Sequence, residues 1–258
     1  MKLFLSYMSL HLKIDLEYKL SFILSTISQL LIMIVDLFIV DSLFKKFNLL
    51  TEFNINEIMF GFSAIWLGFS ISEMIGRGFD EFSYLIINGS FDNLLIRPRN
   101  IYLQIFGSQI SYKKISKIIL SFIMYIYYSI KIIVNFNILK LLLLITIIIG
   151  ICIVMISIYI IGASFCFKTV KNLEFMNIFM SGTRQANQYP LKIYNKPVRF
   201  IFTYIIPVAL MNYYPIRYLK GQSTDLIYLI MPFYSLILLF FSIKIFNKSL
   251  NHYTSIGC

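Results

Sequence analysis

Several ionisable residues lie within or beside long apolar stretches of this 258-residue chain, and three of them raise the question of a buried charge. Asp36 and Asp41 fall in the first apolar stretch, and Lys131 falls in the third. A charge at the centre of a bilayer costs at least about 2.5 to 3.5 kcal/mol on insertion scales, so each charge needs a partner or water. Asp41 and Lys131 can reach the nearer membrane surface by snorkelling. Asp36 lies deeper, which favours a role in a polar cavity or in charge pairing.

A second group of polar residues recurs at helical spacing further along the chain. It consists of Asn177, Ser181, Arg184 and Gln188, which a helix places on one face. If that helix crosses a membrane, its polar face predicts a water-filled cargo path, for which Asp36 is a further candidate. The other interpretation is an amphipathic helix that lies on the membrane surface.

Residue patterns that support catalysis are missing from the sequence. There is no GxxxxGK(S/T) phosphate loop, no HExxH or GxSxG motif and no paired CxxC. His11 and His252 lie near opposite ends of the chain, and Cys152 and Cys166 lie about 21 Å apart along one predicted helix. We therefore expect no catalytic site, metal or cofactor in this chain. Energy from ATP and Mg²⁺, if used, must come through another polypeptide.

The composition decides which environment surrounds these residues. Hydrophobic residues make up 59% of the chain and the mean hydropathy is +0.78, whereas soluble domains contain about 45 to 50% apolar residues. A helix needs about 20 apolar residues to cross the bilayer core. The sequence thus predicts an all-α integral membrane protein with one domain, residues 1–258. Plain crossings are predicted at 20–44, 58–75, 118–136, 141–167 and 226–245, with the third and fourth forming a tight antiparallel hairpin.

Small residues recur at every fourth position of the second predicted crossing. They are Ala64, Gly68, Ser72 and Gly76. Small side chains at this spacing let membrane helices approach closely and pack by van der Waals contact. Either another helix of the same chain or a second subunit can occupy this face.

The distribution of charge predicts the orientation of the chain. The net charge is +11, but the Lys and Arg residues are scattered between apolar runs, which argues against nucleic-acid binding. Cations accumulate on the cytoplasmic side of membrane proteins, so the polar loop 76–117 and both termini are predicted to be cytoplasmic. Residues 1–19 mix charged and apolar side chains, as an interfacial helix does.

Residues 168–225 allow two foldings that keep both termini on the same side. In the first, 172–190 cross and 198–218 dip into the outer leaflet and return. In the second, 172–197 stay cytoplasmic and 198–218 cross. Charge bias favours the second folding, whereas Pro207 and Pro215 favour a re-entrant element, because proline interrupts a helix.

Residues 89–100, GSFDNLLIRPRN, resemble a signature of permease subunits in the type-2 ABC exporter family. The matching positions are Gly89, Asp92, Leu94, Leu95, Arg97, Pro98 and Asn100. Further similarity lies at Tyr18 in the leader, at Tyr189 to Tyr194, at Ile206 to Ala209 and at Asn212 to Pro215. The resemblance covers the N-terminal region, the first cytoplasmic loop and the final third of the chain.

The resemblance implies six crossings, an interfacial helix at 1–19, a cytoplasmic coupling loop at 76–117 and a re-entrant outer region at 190–224. It therefore favours the first folding of 168–225. The implied ATPase-coupling residues are Asp80, Phe91, Asp92, Leu94, Leu95, Arg97, Pro98 and Asn100. The implied re-entrant residues are Pro190, Pro207, Asn212 and Pro215. Charged groups of the loop offer charge-assisted contacts, and its Phe and Leu side chains offer an apolar anchor.

These observations predict a permease subunit in a bacterial plasma membrane that exports an amphiphilic cargo such as a drug, peptide or lipid. Its partners are predicted to be separate ABC ATPase subunits and a second permease, either a copy or a paralogue. One alternative is a carrier or channel that needs no nucleotide. The other is a membrane-embedded enzyme, in which Asp36, Asp41, Glu73 or Arg184 would form an intramembrane site.

Overall fold

The computed structural model describes residues 2–46, 54–169, 180–185, 194–211, 213–222 and 225–254. These residues form helices, turns and links, and no strand occurs among them. The first helices are α1 (Lys2–Glu17), α2 (Lys19–Lys46), α3 (Ile55–Ile75), α4 (Arg77–Asp80), α5 (Phe82–Ile87), α6 (Ser90–Ile96) and α7 (Ile101–Ser108). A 3₁₀ turn at Tyr112–Lys114 leads into α8 (Ile115–Ile132), which is followed by α9 (Ile138–Thr169).

The last third consists of shorter pieces and one long helix. Residues 180–185 are helical. They are followed by α10 (Lys196–Phe200), a π-helical turn (Ile201–Ile205), α11 (Val208–Met211), α12 (Tyr213–Leu219), α13 (Ile227–Ile230), a 3₁₀ turn (Met231–Tyr234) and α14 (Ser235–Leu250). The decisive parts of the two alternative foldings, 170–179 and 186–193, lie outside the described residues.

Five helical segments of the described chain are long and apolar enough to cross a membrane. They are Lys19–Ser42, Ile55–Ile75, Tyr112–Ile132, Ile138–Thr169 and Ile227–Leu250. All five plain crossings predicted from hydropathy are therefore confirmed as helices of suitable length and composition. The helix of the fourth crossing extends beyond its predicted run at both ends, whereas α8 ends at Ile132, four residues before the predicted end at 136.

The helix α3 is the centre of the bundle. In the most apolar part of α3, 78% of the residues are buried, whereas in the corresponding part of α2 only 11% are buried. It packs between α8 and α9, while α2 lies against α8 and α14 lies against α9. A short link at 133–137 joins α8 to α9, as predicted, but the two helices pack mainly against α3 rather than against each other as a tight hairpin would. The Tyr125 hydroxyl of α8 donates to the Leu144 carbonyl of α9 at 3.0 Å.

The small-residue face of α3 lies against α9 of the same chain. A Cβ atom on Gly68 would come 2.5 Å from Cγ2 of Ile151, and one on Gly76 would come 3.0 Å from the Tyr159 ring. The Cys152 thiol donates to the Gly68 carbonyl at 3.3 Å. The absence of side chains at these two glycines therefore permits the close approach of the two most buried helices.

Replacing Gly68 by alanine is expected to destabilise the protein by about 1 to 3 kcal/mol, because the new methyl group overlaps the branched side chain of Ile151. Gly182 provides a matched control, since a Cβ atom there meets nothing within 4 Å. The free energy of unfolding of both variants can be measured by detergent titration in mixed micelles. Equal stability of Gly68→Ala and Gly182→Ala would contradict this packing.

The polar loop forms one end of the bundle, which we call the loop end. Here α1 lies across α7, and the His11 ring donates from Nε2 to the Gly107 carbonyl at 3.0 Å. The Tyr112 hydroxyl donates to the Met8 carbonyl at 2.9 Å. A Cβ atom on Gly107 would come 2.3 Å from the Tyr7 ring. The N-terminal helix is therefore closely fitted to the loop.

We call the opposite end of the bundle the far end. Two lysines hold its helices together through an ion pair and a hydrogen bond. Lys220 pairs with the buried Glu57 at 2.7 Å, and Lys140 donates to the Leu219 carbonyl at 3.1 Å. These contacts fix the end of α12 to the first turns of α3 and α9. The short helix α11 lies deeper, because a Cβ atom on Gly150 would come 2.6 Å from the Met211 sulfur.

Two prolines were expected to interrupt the helix in this region, and only one of them does so. Pro207 lies between the π-helical turn and α11, as an interruption of the helix predicts. Pro215, by contrast, lies within α12 rather than breaking a helix. Pro190 and Asn212 lie outside the described residues.

Candidate functional site

A cluster of aromatic rings joins the polar loop to the ends of the long helices. Phe82 of α5 lies at its centre, with ring centroids 5.0 Å from Phe91 of α6, 5.1 Å from Phe167 of α9 and 5.7 Å from Phe246 of α14. These pairs have the edge-to-face geometry that aromatic rings prefer. The rings therefore connect the loop directly to α9 and α14. We call this set, with Phe79 and Tyr253, the aromatic cluster.

Two hydrogen bonds between side chains strengthen this attachment. The Tyr102 hydroxyl donates to the Asn247 side chain at 2.7 Å. The Tyr253 hydroxyl donates to a carboxylate oxygen of Asp92 at 3.0 Å. Burial, followed by this bond to the charged Asp92, raises the pKa of Tyr253 to about 12. The segment after α14 is therefore held on α6.

The variant Tyr253→Phe is expected to lower the free energy of unfolding by about 0.5 to 1.5 kcal/mol, since it removes one hydrogen bond and keeps the ring. The raised pKa adds a pH signature. The wild-type contribution is complete below the usual tyrosine pKa of 10.0 and is lost as pH rises towards about 12. Unfolding titrations at pH 8 and pH 11 on both proteins measure this. If the difference in the free energy of unfolding between the wild type and Tyr253→Phe did not become smaller at pH 11, the hydrogen bond would be contradicted.

An exposed apolar and cationic surface lies on the outer side of the loop. Ile96 is 81% exposed and Leu95 is 43% exposed. We define the loop-tip patch as the exposed residues Tyr84, Ile87, Leu95, Ile96, Arg97 and Arg99. A left-handed turn at Gly89, with φ of 64°, and the side-chain oxygen of Asn100, which caps α7, set the direction of α6.

Several charged residues from different helices meet beside α3. Lys114 pairs with Glu73 at 2.9 Å and donates to the Gln29 side chain at 3.3 Å. Lys117, with only 3% of its surface exposed, lies 4.9 Å from the centre of the Trp66 ring. Four further charged residues lie close enough to Lys117 to act on it electrostatically, and we call the five residues the buried charge cluster: Lys117, Asp36, Glu73, Lys114 and Arg184.

Arg184 reaches this cluster from the short helix at 180–185. Its guanidinium lies 4.6 Å from the centre of the Trp66 ring and 5.3 Å from that of Phe69. Trp66 lies near the middle of α3, so Arg184 lies at the same depth. Among the described residues no group of His, Cys, Asp and Glu side chains could hold a metal ion.

A family model described as ABC-2 family transporter protein matches residues 3–257. The chain belongs to the ABC-2 transporter family. No curated protein and no solved structure matches it. Family membership and the five apolar helices identify a multi-pass membrane protein that is the permease component of a transporter rather than its catalytic subunit. ABC-2 permeases generally work with ATPase subunits, which defines the kind of partner.

The structure gives the predicted coupling residues of this ABC-2 permease several different environments. Leu95, Arg97 and Pro98 are exposed, and Leu94 is partly buried. Phe91 is fully buried in the aromatic cluster, so its ring cannot contact another protein directly. Asp92 accepts the Tyr253 bond, and Asn100 caps α7. The contacts of these last three residues are with this chain itself and stabilise the loop.

Asp80 lies apart from the loop-tip patch, on α4. It pairs with Arg77 at 3.4 Å, and Arg77 also pairs with Glu81. Burial raises the pKa of Asp80, while Arg77 opposes that rise and Glu73 adds to it. Asp80 therefore lies close enough to two members of the buried charge cluster, Glu73 and Lys114, to interact with them electrostatically.

Sequence reasoning missed Ile96, the most exposed apolar side chain of the patch. Phe91 and Leu94 lie three positions apart and mark the inward face of α6, and Ile96 was left without an assigned role. An isoleucine off the apolar face of a helix in a polar loop was the available signal. It points to a partner rather than to the core.

The predicted cargo-path residues are only partly brought together. Asp36 and Arg184 both reach the buried charge cluster. Ser181 is exposed, whereas Asn177 and Gln188 lie outside the described residues. Sequence reasoning assigned Lys114 and Lys117 to the polar loop, yet both are buried beside α3. Lys131 is exposed and lies 4.3 Å from the Tyr127 ring centre, as expected of a lysine near the membrane surface.

Proposed function

We propose that this chain is the permease subunit of an ATP-driven exporter that moves an amphiphilic cargo out of a bacterial cell by alternating access. The loop-tip patch carries this proposal, because it combines exposed apolar side chains with two arginines outside the apolar bundle. Such a combination is typical of a protein interface, where apolar anchors are surrounded by charged groups. The patch is therefore assigned to a separate ABC ATPase that binds ATP and Mg²⁺.

The aromatic cluster supports the same assignment mechanically. The helix that bears Leu95 and Ile96 also bears Phe91, whose ring packs against Phe82 and Phe167. A displacement imposed on α6 by a closing ATPase cannot be absorbed within a densely packed cluster of rings. It is passed to the loop-end termini of α9 and α14, and through α9 to the central helix α3.

The proposed topology has six crossings, with residues 172–190 as the fifth and 190–224 as a re-entrant outer region. The position of Arg184 beside Trp66, in the middle of α3, favours this folding over a surface location of the same segment. The return of α12 to the far end, next to Glu57, fits a re-entrant path. In this proposal the loop end and both termini are cytoplasmic, and α1 is the interfacial helix.

The proposed assembly contains two permease chains, identical or paralogous, and ATPase subunits. The sparsely buried helix α2 offers surface to lipid or to that second chain. The proposal gives this chain no enzymatic activity of its own. The rival function is a carrier or channel, which predicts transport into vesicles without any nucleotide.

The test is affinity purification of the tagged full-length protein from its native membranes in mild detergent, followed by mass spectrometry and an ATPase assay. The expected result is a stoichiometric ABC ATPase with measurable ATP hydrolysis. Recovery of this chain alone, under conditions that keep other membrane complexes intact, would overturn the proposal. Substrate transport by vesicles that lack nucleotide would then establish the rival.

A further inference from the structure

One buried side chain joins the two ends of the segment that carries the exposed part of α6. Gln104 lies on α7 with only 1% of its surface exposed. Its side-chain amide donates to the Leu94 carbonyl at 3.1 Å and to the Arg99 carbonyl at 3.2 Å. Leu94 lies in the last turn of α6, and Arg99 directly precedes the residue that caps α7. The two bonds therefore connect the end of one short helix to the start of the next.

The residues between the two bonded carbonyls, 95–98, are all exposed, and we call them the tip. They include two apolar side chains of the loop-tip patch, Leu95 and Ile96, and one of its cations, Arg97. At the end of the tip the backbone turns tightly, since the Arg99 N–H donates to the Arg97 carbonyl at 2.7 Å. The buried amide thus closes the base of the tip.

The chemistry of this position favours a neutral amide. Two carbonyl acceptors need two N–H donors from one side chain, which an amide, an ammonium or a guanidinium group provides. A cation buried as deeply as Gln104 would need a compensating anion. The Oε1 atom of Gln104 is buried without a hydrogen-bond partner among the described residues, and an unpaired buried acceptor lowers stability. The side chain therefore keeps its two carbonyl bonds although its own oxygen stays unsatisfied.

The two carbonyl bonds matter because a docking surface binds more tightly when its shape is fixed before the partner arrives. A flexible segment loses conformational freedom on binding, and this loss lowers the affinity. The side chains of the tip are exposed, so they pack little against the rest of the chain. The bonds from Gln104 act on the backbone instead, and they fix the direction in which Leu95 and Ile96 point.

We propose that Gln104 is a positioning residue for the docking of the ATPase. It is buried and acts through the tip, whose apolar and cationic side chains it holds in one fixed arrangement. This inference rests on the proposed transport function and assigns the residue that shapes its docking surface.

The test measures how tightly the full-length Gln104→Met variant, in mild detergent, binds the ATPase that co-purifies with the wild type and is then produced separately. Methionine has a similar size and no N–H donor, so the variant fills the same volume and loses both bonds. The affinity is expected to fall about ten- to thirty-fold. An affinity equal to that of the wild type would overturn the inference.

The matched control is Gln29→Met, which makes the same change on α2. There the side chain contacts Lys114 rather than the tip. This variant is expected to bind the ATPase as the wild type does. Equal losses of affinity in the two glutamine variants would overturn the specific role of Gln104.

A combination of variants separates a positioning role from a merely structural one. Ile96→Ala is expected to weaken ATPase binding by the wild type about ten-fold, because an exposed apolar anchor is lost. In the Gln104→Met background the same change is expected to weaken binding less than about three-fold, since a displaced tip no longer presents that side chain correctly. Equal losses in both backgrounds would show that Gln104 acts independently of the tip and would overturn the inference.

A milder variant keeps the inference testable if Gln104→Met does not fold. Gln104→Asn retains a neutral amide and shortens it by one methylene group, so about a three- to ten-fold loss of affinity is expected. Unchanged affinity in this variant would overturn the inference. Trypsin cleavage after Arg99 gives a second measurement, and it is expected to be faster in both variants because the tip is released. Cleavage at the wild-type rate would also overturn the inference.

Recovery of the ATPase by the wild type is scored first, so that the two proposals can fail separately. If the wild type recovers an ATPase that Gln104→Met binds equally well, this inference fails and the proposed transport function stands. If the wild type recovers no ATPase, the proposed function fails, and the docking role of Gln104 fails with it.

Discussion

The double replacement Leu95→Ser and Ile96→Ser is expected to weaken association with the ATPase roughly 30- to 1,000-fold and to abolish coupled transport. Exposed apolar side chains at the centre of an interface typically contribute about 2 to 4 kcal/mol to binding. Ile96 is 81% exposed, so it contributes little to the fold of this chain. Quantitative pull-down of the ATPase and its stimulated ATPase rate measure the effect.

The control for this experiment is Ile119→Ser, which changes an exposed isoleucine on α8 that lies outside the loop. It is expected to recover the ATPase as the wild type does. Both serine variants are expected to keep the thermal midpoint of the wild type, which separates lost docking from lost folding. Full ATPase recovery with the double variant would place the docking surface elsewhere on the chain.

The replacement Phe82→Ala is expected to lower the free energy of unfolding by about 3 to 5 kcal/mol, the usual cost of removing a buried aromatic ring. Phe82 is fully buried and contacts the rings of Phe91, Phe167 and Phe246. Its removal would leave a cavity between the loop and the long helices. Detergent titration in mixed micelles gives the stability, and limited proteolysis within residues 76–108 reports the detachment of the loop.

The matched control is Phe240→Ala on α14, where the ring is 53% exposed on the apolar surface of the bundle. It is expected to change the free energy of unfolding by less than about 1 kcal/mol, because removal of an exposed ring leaves no internal cavity. Comparable losses in the two phenylalanine variants would contradict the central position of Phe82 in the aromatic cluster. Stability loss without increased proteolysis of the loop would show that the cluster does not hold the loop.

Membrane helices are predictable from sequence for a simple physical reason. The bilayer leaves no water for backbone groups, so an apolar run of sufficient length has to form a helix. The five plain crossings followed from that rule alone. The close contact of Gly68 with α9 was likewise indicated by spacing, although the identity of the neighbouring helix required the structure.

The candidate sites were less predictable, because they depend on which way each side chain points. Phe91 and Ile96 belong to the same short helix, yet one is buried and the other is the most exposed apolar residue of the patch. Lys117 and Trp66 are far apart in the sequence and meet only because α8 packs on α3. Residue spacing within one helix carries no information about a neighbour that comes from another.

The sequence by itself thus determined the environment, the helical segments and the location of the polar loop, since these depend on local composition and on the thickness of the bilayer. Only the tertiary structure decided which loop residues face a partner and which charged side chains meet at Trp66. Those outcomes depend on contacts between helices that are distant in sequence. Packing between distant helices buries Phe82 while Ile96 stays exposed, and it brings Arg184 and Lys117 to the same Trp66 ring.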